Sequence, residues 1–204
     1  MMNKPEYALG QLKNGNQRFL NARSEILPTL RANVLKELAD EQNPLAVILG
    51  CSDSRVPPEI VFDQGLGTLF VVRVAGNLAD RTQIGSIEFA VQEFNCPLVV
   101  VLGHSQCGAI KAAFNQLKNP VNVSKSVSFL LESIRPTVEK LQSSFSGIND
   151  EGAIADAVRL NVQSSVDRLL VNSPILATKC ETGELKVVGA EYLLESGAVE
   201  FLED

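Results

Sequence analysis

PLVVVLGHSQCGA, residues 97–109, is the stretch on which the fold turns. Its unbroken run of valine and leucine, bounded by Pro97 and Gly103, reads as a strand covered on both faces, the habit of a largely parallel sheet flanked by helices. Three other runs share its character: LAVILG (45–50), TLFVVRV (68–74) and LKVVGAEY (185–192). Between them apolar residues recur at three- and four-residue steps, each set tracing one buried helical stripe. Leu27, Leu30, Val34, Leu35 and Leu38 form one stripe, Ile84, Ile87, Val91 and Phe94 another, and Ile154, Val158, Val162, Val166 and Leu169 a third. A helix over about 5–20 precedes the first strand, and Ser105 or its neighbour is expected to cap a helix starting near Gln106. QSSFSGINDEG (142–152) reads as a loop between two helices. The expectation is an α/β fold in one domain over 1–204, with no internal repeat or linker.

Charge and hydropathy narrow the function classes. The chain holds 18 Lys and Arg against 24 Asp and Glu, a net charge of -6, with no cationic cluster, so a nucleic-acid partner is not expected. Its longest apolar runs are too short to span a bilayer, and MMNKPEYALGQ lacks the apolar core of a secretory signal, so no membrane is expected either. A cytoplasmic location is the expectation, with export under a signal outside these residues left open. Four cysteines in a chain this long do not make a disulfide scaffold. Cys96 is read as a small buried hydrophobe and Cys180 as a loop or partly exposed thiol.

The other two cysteines carry chemistry. His104 is the only histidine; it directly follows one strand, Cys107 stands three positions later, and Cys51 directly follows the strand LAVILG. Cys51 and His104 therefore emerge at the carboxyl ends of parallel strands, where open α/β sheets build sites. Cys107 falls in the first turn of the next helix, where free N–H groups favour a thiolate. Two thiolates and one imidazole are ligands of the type Zn²⁺ takes, and three of them leave a fourth tetrahedral position open. Gly50, Gly103 and Gly108 flank the ligands and let the backbone approach a metal or a small bound molecule. Asp53 can close the fourth position, giving a structural site; Arg55, two residues on, can instead pair with that carboxylate and hold it off the metal. A cysteine-nucleophile enzyme using Cys107 and His104 is a further reading, but it lacks a third partner.

CSDSRVPPE, FVVR, GSIEFAV and GHSQCGA, in this order and at these spacings, resemble the β-class carbonic anhydrases, and the similarity runs on through GELKVVGAEYLLESGAVEF. The resemblance implies one Zn²⁺ per chain on Cys51, His104 and Cys107, with Asp53 and Arg55 as a catalytic dyad beside the fourth ligand. It implies reversible hydration of CO₂ to bicarbonate and a proton by zinc-bound hydroxide, and an N-terminal helical arm, about 1–42, that packs on a neighbouring subunit in a homodimer or homotetramer. Zinc supplies hydroxide near neutral pH; thiolate ligands offset its charge, so activity is expected at more alkaline pH than with three imidazoles. With His104 committed to metal, no second histidine exists to carry the released proton, and buffer, water or a carboxylate must do so.

The departures from the family pattern point to a subtype. Ile48 stands where bacterial members with an inhibitory bicarbonate site commonly carry Trp, whereas Gln42 matches the cleft glutamine of plant-type members, there a substrate contact. Phe89 replaces their usual Tyr. Phe70 and Val72 extend an apolar wall suited to uncharged CO₂, and Gly108 completes the candidate substrate contacts. Two alternatives within the resemblance remain: a hydrolase of CS₂ or COS using the same zinc chemistry, and a non-catalytic zinc-binding homologue closed by Asp53.

Overall fold

The computed structural model describes residues 4–23, 38–39, 42–141 and 151–202. In chain order the elements are α1 (Lys4–Leu20), β1 (Ala46–Gly50), α2 (Pro58–Val61), β2 (Leu69–Arg73), a 3-10 turn (Ala75–Asn77), α3 (Arg81–Glu93), β3 (Leu98–His104), α4 (Gly108–Lys118), α5 (Lys125–Lys140), α6 (Glu151–Asn172), α7 (Pro174–Glu181), β4 (Lys186–Tyr192) and β5 (Val199–Leu202). The strands form one five-stranded sheet in the order β2-β1-β3-β4-β5. The first four are parallel and β5 is antiparallel to β4. This is the α/β architecture expected, a largely parallel sheet flanked by helices.

Every residue of β1 and β3 is buried, and the two-residue period of a strand divides them between the faces of the sheet. Val47, Leu49, Val99 and Val101 pack against Ile84, Ile87 and Val91 of α3, Val162, Val166 and Leu169 of α6, and Leu176 of α7. Ile48, Leu98, Val100 and Leu102 face Ala8, Leu9 and Leu12 of α1 and Phe62 just after α2. The stripe expected over 84–94 is thus the face that α3 turns toward the sheet, whereas the stripe over 154–169 divides: Val162, Val166 and Leu169 of α6 pack on the sheet, and Ile154 and Val158 pack with α4 and α5. Of the stripe 27–38 only Leu38 lies among the described residues.

α1 is tied down by a buried asparagine. The Asn16 side-chain amide donates to the carbonyls of Val61 (3.0 Å) and Gly197 (2.9 Å), and its oxygen accepts from the Val199 N–H (3.0 Å). At the far edge, Arg159 of α6 donates to both Glu191 (2.8 Å) and Glu200 (2.6 Å), clipping the helix across β4 and β5. Burial raises the Glu191 carboxyl against the opposing pull of Arg159.

Several sequence expectations are corrected. The helix expected near Gln106 begins at Gly108, with Cys107 as its N-cap, because Gln106 is left-handed (φ 59) and closes the turn between strand and helix. The Ser105 hydroxyl caps no helix; it accepts from the Leu194 N–H at 2.9 Å. In the loop expected at 142–152, residues 142–150 lie outside the described residues and helix α6 already starts at Glu151. Cys96 is buried and Cys180 partly exposed, as read, although Cys180 is carried by α7 and not by a loop. The glycine beside His104 serves packing: a Cβ at Gly103 would stand 2.5 Å from Val162 Cγ2, and one at Gly189 would stand 2.7 Å from Val162 Cγ1. Both glycines seat Val162 against β3 and β4.

Gly103→Ala should therefore cost about 1–3 kcal/mol through overpacking, seen as a lower urea midpoint, and adding Val162→Ala should recover part of that loss. An unchanged midpoint for the single variant would contradict this packing account.

Candidate metal centre

β1 and β3 are neighbours, with Gly50 opposite Leu102 in the register. Cys51, one residue past β1, and His104, the last residue of β3, accordingly leave the sheet side by side at its carboxyl end. Cys107 enters from the N-cap of α4. All three are buried, and their donor atoms lie within 4.8 Å of one another. Ligand atoms around a tetrahedral zinc stand roughly 3.5–4 Å apart, so small side-chain adjustments suffice to close the set on an ion.

The imidazole is oriented for this. His104 Nδ1 lies 2.9 Å from the Ser105 carbonyl, an acceptor only, so Nδ1 carries the proton and Nε2 presents its lone pair. Nε2 is buried without a hydrogen-bond partner. An orphaned acceptor facing two thiols at this depth is costly unless something occupies the space between them, and the donor set is of the kind a borderline-soft divalent metal takes. Ser105 is held in turn: its N–H donates to the Tyr192 carbonyl at 2.9 Å.

Charge is prepared on the sulfurs as well. In the metal-free chain Cys51 is drawn well below the usual thiol range, first by a hydrogen bond from Cys107, then by the N–H groups of Gly76 and Asp53, while burial opposes them. The Gly76 N–H reaches Cys51 Sγ at 3.3 Å. Cys107 is driven up by the charge and hydrogen bond it shares with Cys51 and by burial, with the N–H groups of Ile110 and Ala109 in the first turn of α4 pulling the other way. The pair therefore keeps one proton between its two sulfurs until a metal displaces it.

Asp53 stands beside the donors, with Oδ2 3.8 Å from His104 Nε2. Its carboxylate is turned onto Arg55, whose Nε donates to Oδ1 (2.9 Å) and Nη2 to Oδ2 (2.8 Å), while the Arg55 N–H also donates to Oδ1 (3.0 Å). That forked pair holds the Asp53 carboxyl well below the usual carboxylate range, against the effect of partial burial. The same arginine is largely exposed.

The remaining candidates are dispersed. Gln42 is exposed in the coil before β1. Phe70 and Phe89 meet with centroids 6.4 Å apart and join Phe94 in an aromatic group. Phe70 and Val72 pack into the cluster with α3, whereas Cys51 and Cys107 belong to the cluster formed with α4, α5 and α6. Gly108 opens α4, and a Cβ there would meet nothing within 4 Å. Sequence reasoning missed the polar groups around the donors, Ser105, Gly76 and Arg73; the one visible signal was a lone arginine in the apolar run TLFVVRV.

Comparison with known proteins agrees on one family. Residues 46–199 match the family model described as carbonic anhydrase. The chain is 38% identical over 193 residues to "Carbonic anhydrase 2" of Mycobacterium tuberculosis, covering 95% of this chain and 90% of that protein. It is also 38% identical over 196 residues to a carbonic anhydrase of Mycolicibacterium smegmatis, covering 96% and 92%. Among solved structures, the β-carbonic anhydrase CafA of Aspergillus fumigatus superposes with a TM-score of 0.74 at 28% identity, covering 97% of this chain and 90% of that one.

Cys96 is pushed up to about 12 by burial and Cys180 is also raised by burial, so a thiolate in the metal-free chain at neutral pH belongs to the Cys51 and Cys107 pair. Ultraviolet thiolate absorbance should show about one equivalent there, abolished in Cys51→Ala and moved to alkaline pH in Cys107→Ala. A titration with no thiolate below the ordinary thiol range would contradict this reading.

Proposed function

This chain belongs to the β-class carbonic anhydrase family, and from that premise we propose that it catalyses the reversible hydration of CO₂ to bicarbonate and a proton, with one zinc ion per chain on Cys51, His104 and Cys107. The observation that carries the proposal is the buried, unpartnered His104 Nε2 facing two thiols, with a carboxylate at 3.8 Å that Arg55 holds aside. Zinc bound there would act as a Lewis acid that lowers the pKa of a water molecule.

The chain's own residues supply the rest. The Ser105 carbonyl fixes the His104 tautomer, so the imidazole can donate its lone pair without first losing a proton. Asp53, kept ionised by Arg55, is an acceptor only. A water or hydroxide hydrogen-bonded to it has its proton fixed in that direction and its lone pair free to meet the carbon of CO₂. Arg55 would thereby hold Asp53 off the fourth position of a bound metal and make it an orienting acceptor rather than a ligand. The proton leaves without histidine, because His104 is the only one in the chain; Arg55 keeps Asp53 ionised and so a poor proton carrier, which leaves solvent water and buffer as the way out.

The pH dependence follows from signs. Asp53, with its pKa depressed, stays charged through neutral and mildly acidic pH and loses its charge only when the pH falls through its lowered value. It therefore does not set the lower limit of activity near neutrality. Two thiolates offset the formal charge of a divalent ion and weaken its pull on water, which moves that limit to the alkaline side.

A second copy of the chain completes the proposal. β2 is an edge strand whose apolar residues are only half-buried, and Leu66 just before it and Phe89, which packs on Phe70, are exposed. Closing such apolar surface against a symmetry-related copy is the usual basis of a homodimer, which can pair further into a tetramer. Among the described residues no helix is long and apolar enough to cross a membrane, and the acidic balance suits a cytoplasmic protein with no nucleic-acid partner.

Arg55→Ala should retain about one zinc per chain yet lose roughly 100-fold or more in CO₂ hydration, measured by stopped flow with metal analysis of the same sample. Wild-type turnover would remove Arg55 from the mechanism. In the unaltered protein hydration should rise toward alkaline pH and with buffer concentration at saturating CO₂; full activity persisting well below neutrality, or indifference to buffer, would contradict the account. Bound zinc with no hydration at any pH would favour a site closed by Asp53.

A further inference from the structure

Residues 51–55 leave the sheet after β1, so their carbonyls have no ladder partners, and main-chain acceptors of this kind must be satisfied in another way. Arg73 does so for two of them. It is the last residue of β2 and lies opposite Gly50 in the register. Its Nε donates to the Cys51 carbonyl at 2.9 Å and its Nη2 to the Asp53 carbonyl at 2.6 Å. The Val56 N–H shares the Asp53 carbonyl at 3.1 Å, and the Val74 N–H donates to the Gly50 carbonyl at 3.1 Å, so the end of β2 continues to grip the chain where β1 stops.

Asp53 is thus fixed at both ends, its carboxylate by Arg55 and its carbonyl by Arg73. We propose that Arg73 is a positioning residue: one guanidinium, bonded at once to the Cys51 and Asp53 carbonyls, holds 51–53 as a rigid arm and sets both the aim of the Cys51 sulfur and the distance of the Asp53 carboxylate from His104. The proposal rests on the metal-binding reading above. Arginine suits the task because its planar fork presents two donors at a fixed spacing, whereas a lysine ammonium is a point charge on a flexible stem. Groups that orient metal ligands from outside commonly matter by about 10–100-fold in affinity or activity.

The test compares Arg73→Met and Arg73→Lys with the unaltered full chain, zinc-loaded and stripped of zinc. In Arg73→Met, hydrogen exchange of the peptide spanning 51–56 should quicken by about tenfold or more in the zinc-free protein while α3 and α6 keep their protection. Transfer of zinc to an excess of chelator should be about 10–100-fold faster, and kcat should fall with KM little changed. Arg73→Lys, which keeps the charge but not the fork, should recover only part of each effect, and it carries the comparison if the methionine variant fails to fold. Exchange and zinc release within twofold of the unaltered chain would overturn the proposal, as would quickened exchange spread evenly over the whole chain. If the unaltered chain takes up no zinc, the functional reading fails, and exchange over 51–56 still decides the role of Arg73.

Discussion

The parallel pairing of β1 with β3 is the constraint on which the site depends. Adjacent parallel strands run about 4.8 Å apart with their carboxyl ends together, so Cys51 and His104, each at the end of its strand, arrive side by side without any loop having to bring them there. The pairing is enforced by packing: both strands are covered on each face, and a slip of register would carry each side chain to the opposite face, against neighbours it does not fit. A rigid pair of strand ends is a precise support for a metal centre in a way that a surface loop is not.

Around that support the chain spends polar interactions in proportion to how exposed each arm is. The His104 arm lies in the sheet and needs only the Ser105 carbonyl to choose its tautomer. The Cys107 arm is closed by the left-handed Gln106 and settles on the first turn of α4. The Cys51 arm has left the sheet, and there the Gly76 N–H, Arg73 and the Asp53 and Arg55 pair all converge. The acid-base group and the metal ligand are therefore parts of one short segment, so that what orders one orders the other.

How much of this was legible in the sequence follows from the range of each interaction. The four parallel strands and the faces of α3 and α6 were readable because burial on two faces, or along one stripe, writes itself into a continuous or periodic apolar pattern. The donor set was readable because histidine is so scarce here that its neighbour Cys107 and the strand-end Cys51 had little competition. β5 escaped because VEFL is short and half-exposed and pairs antiparallel with a strand that ends only a turn earlier. The start of α4 was misread because Gln106 adopts a left-handed conformation that its residue type does not announce. Gly103 was credited to the metal, although it makes room for the distant Val162, and Arg73 passed as a strand residue because its acceptors are carbonyls, which leave no trace in residue identity.

The central claim is that Cys51, His104 and Cys107 close together on one zinc. Zinc X-ray absorption on the purified protein at alkaline pH tests this most directly. The account predicts two sulfur neighbours at about 2.3 Å and two lighter ones at about 2.0 Å, a pattern that loses one sulfur in Cys51→Ala and keeps both in Arg55→Ala. A zinc shell without sulfur, or a protein that holds no zinc, would contradict it.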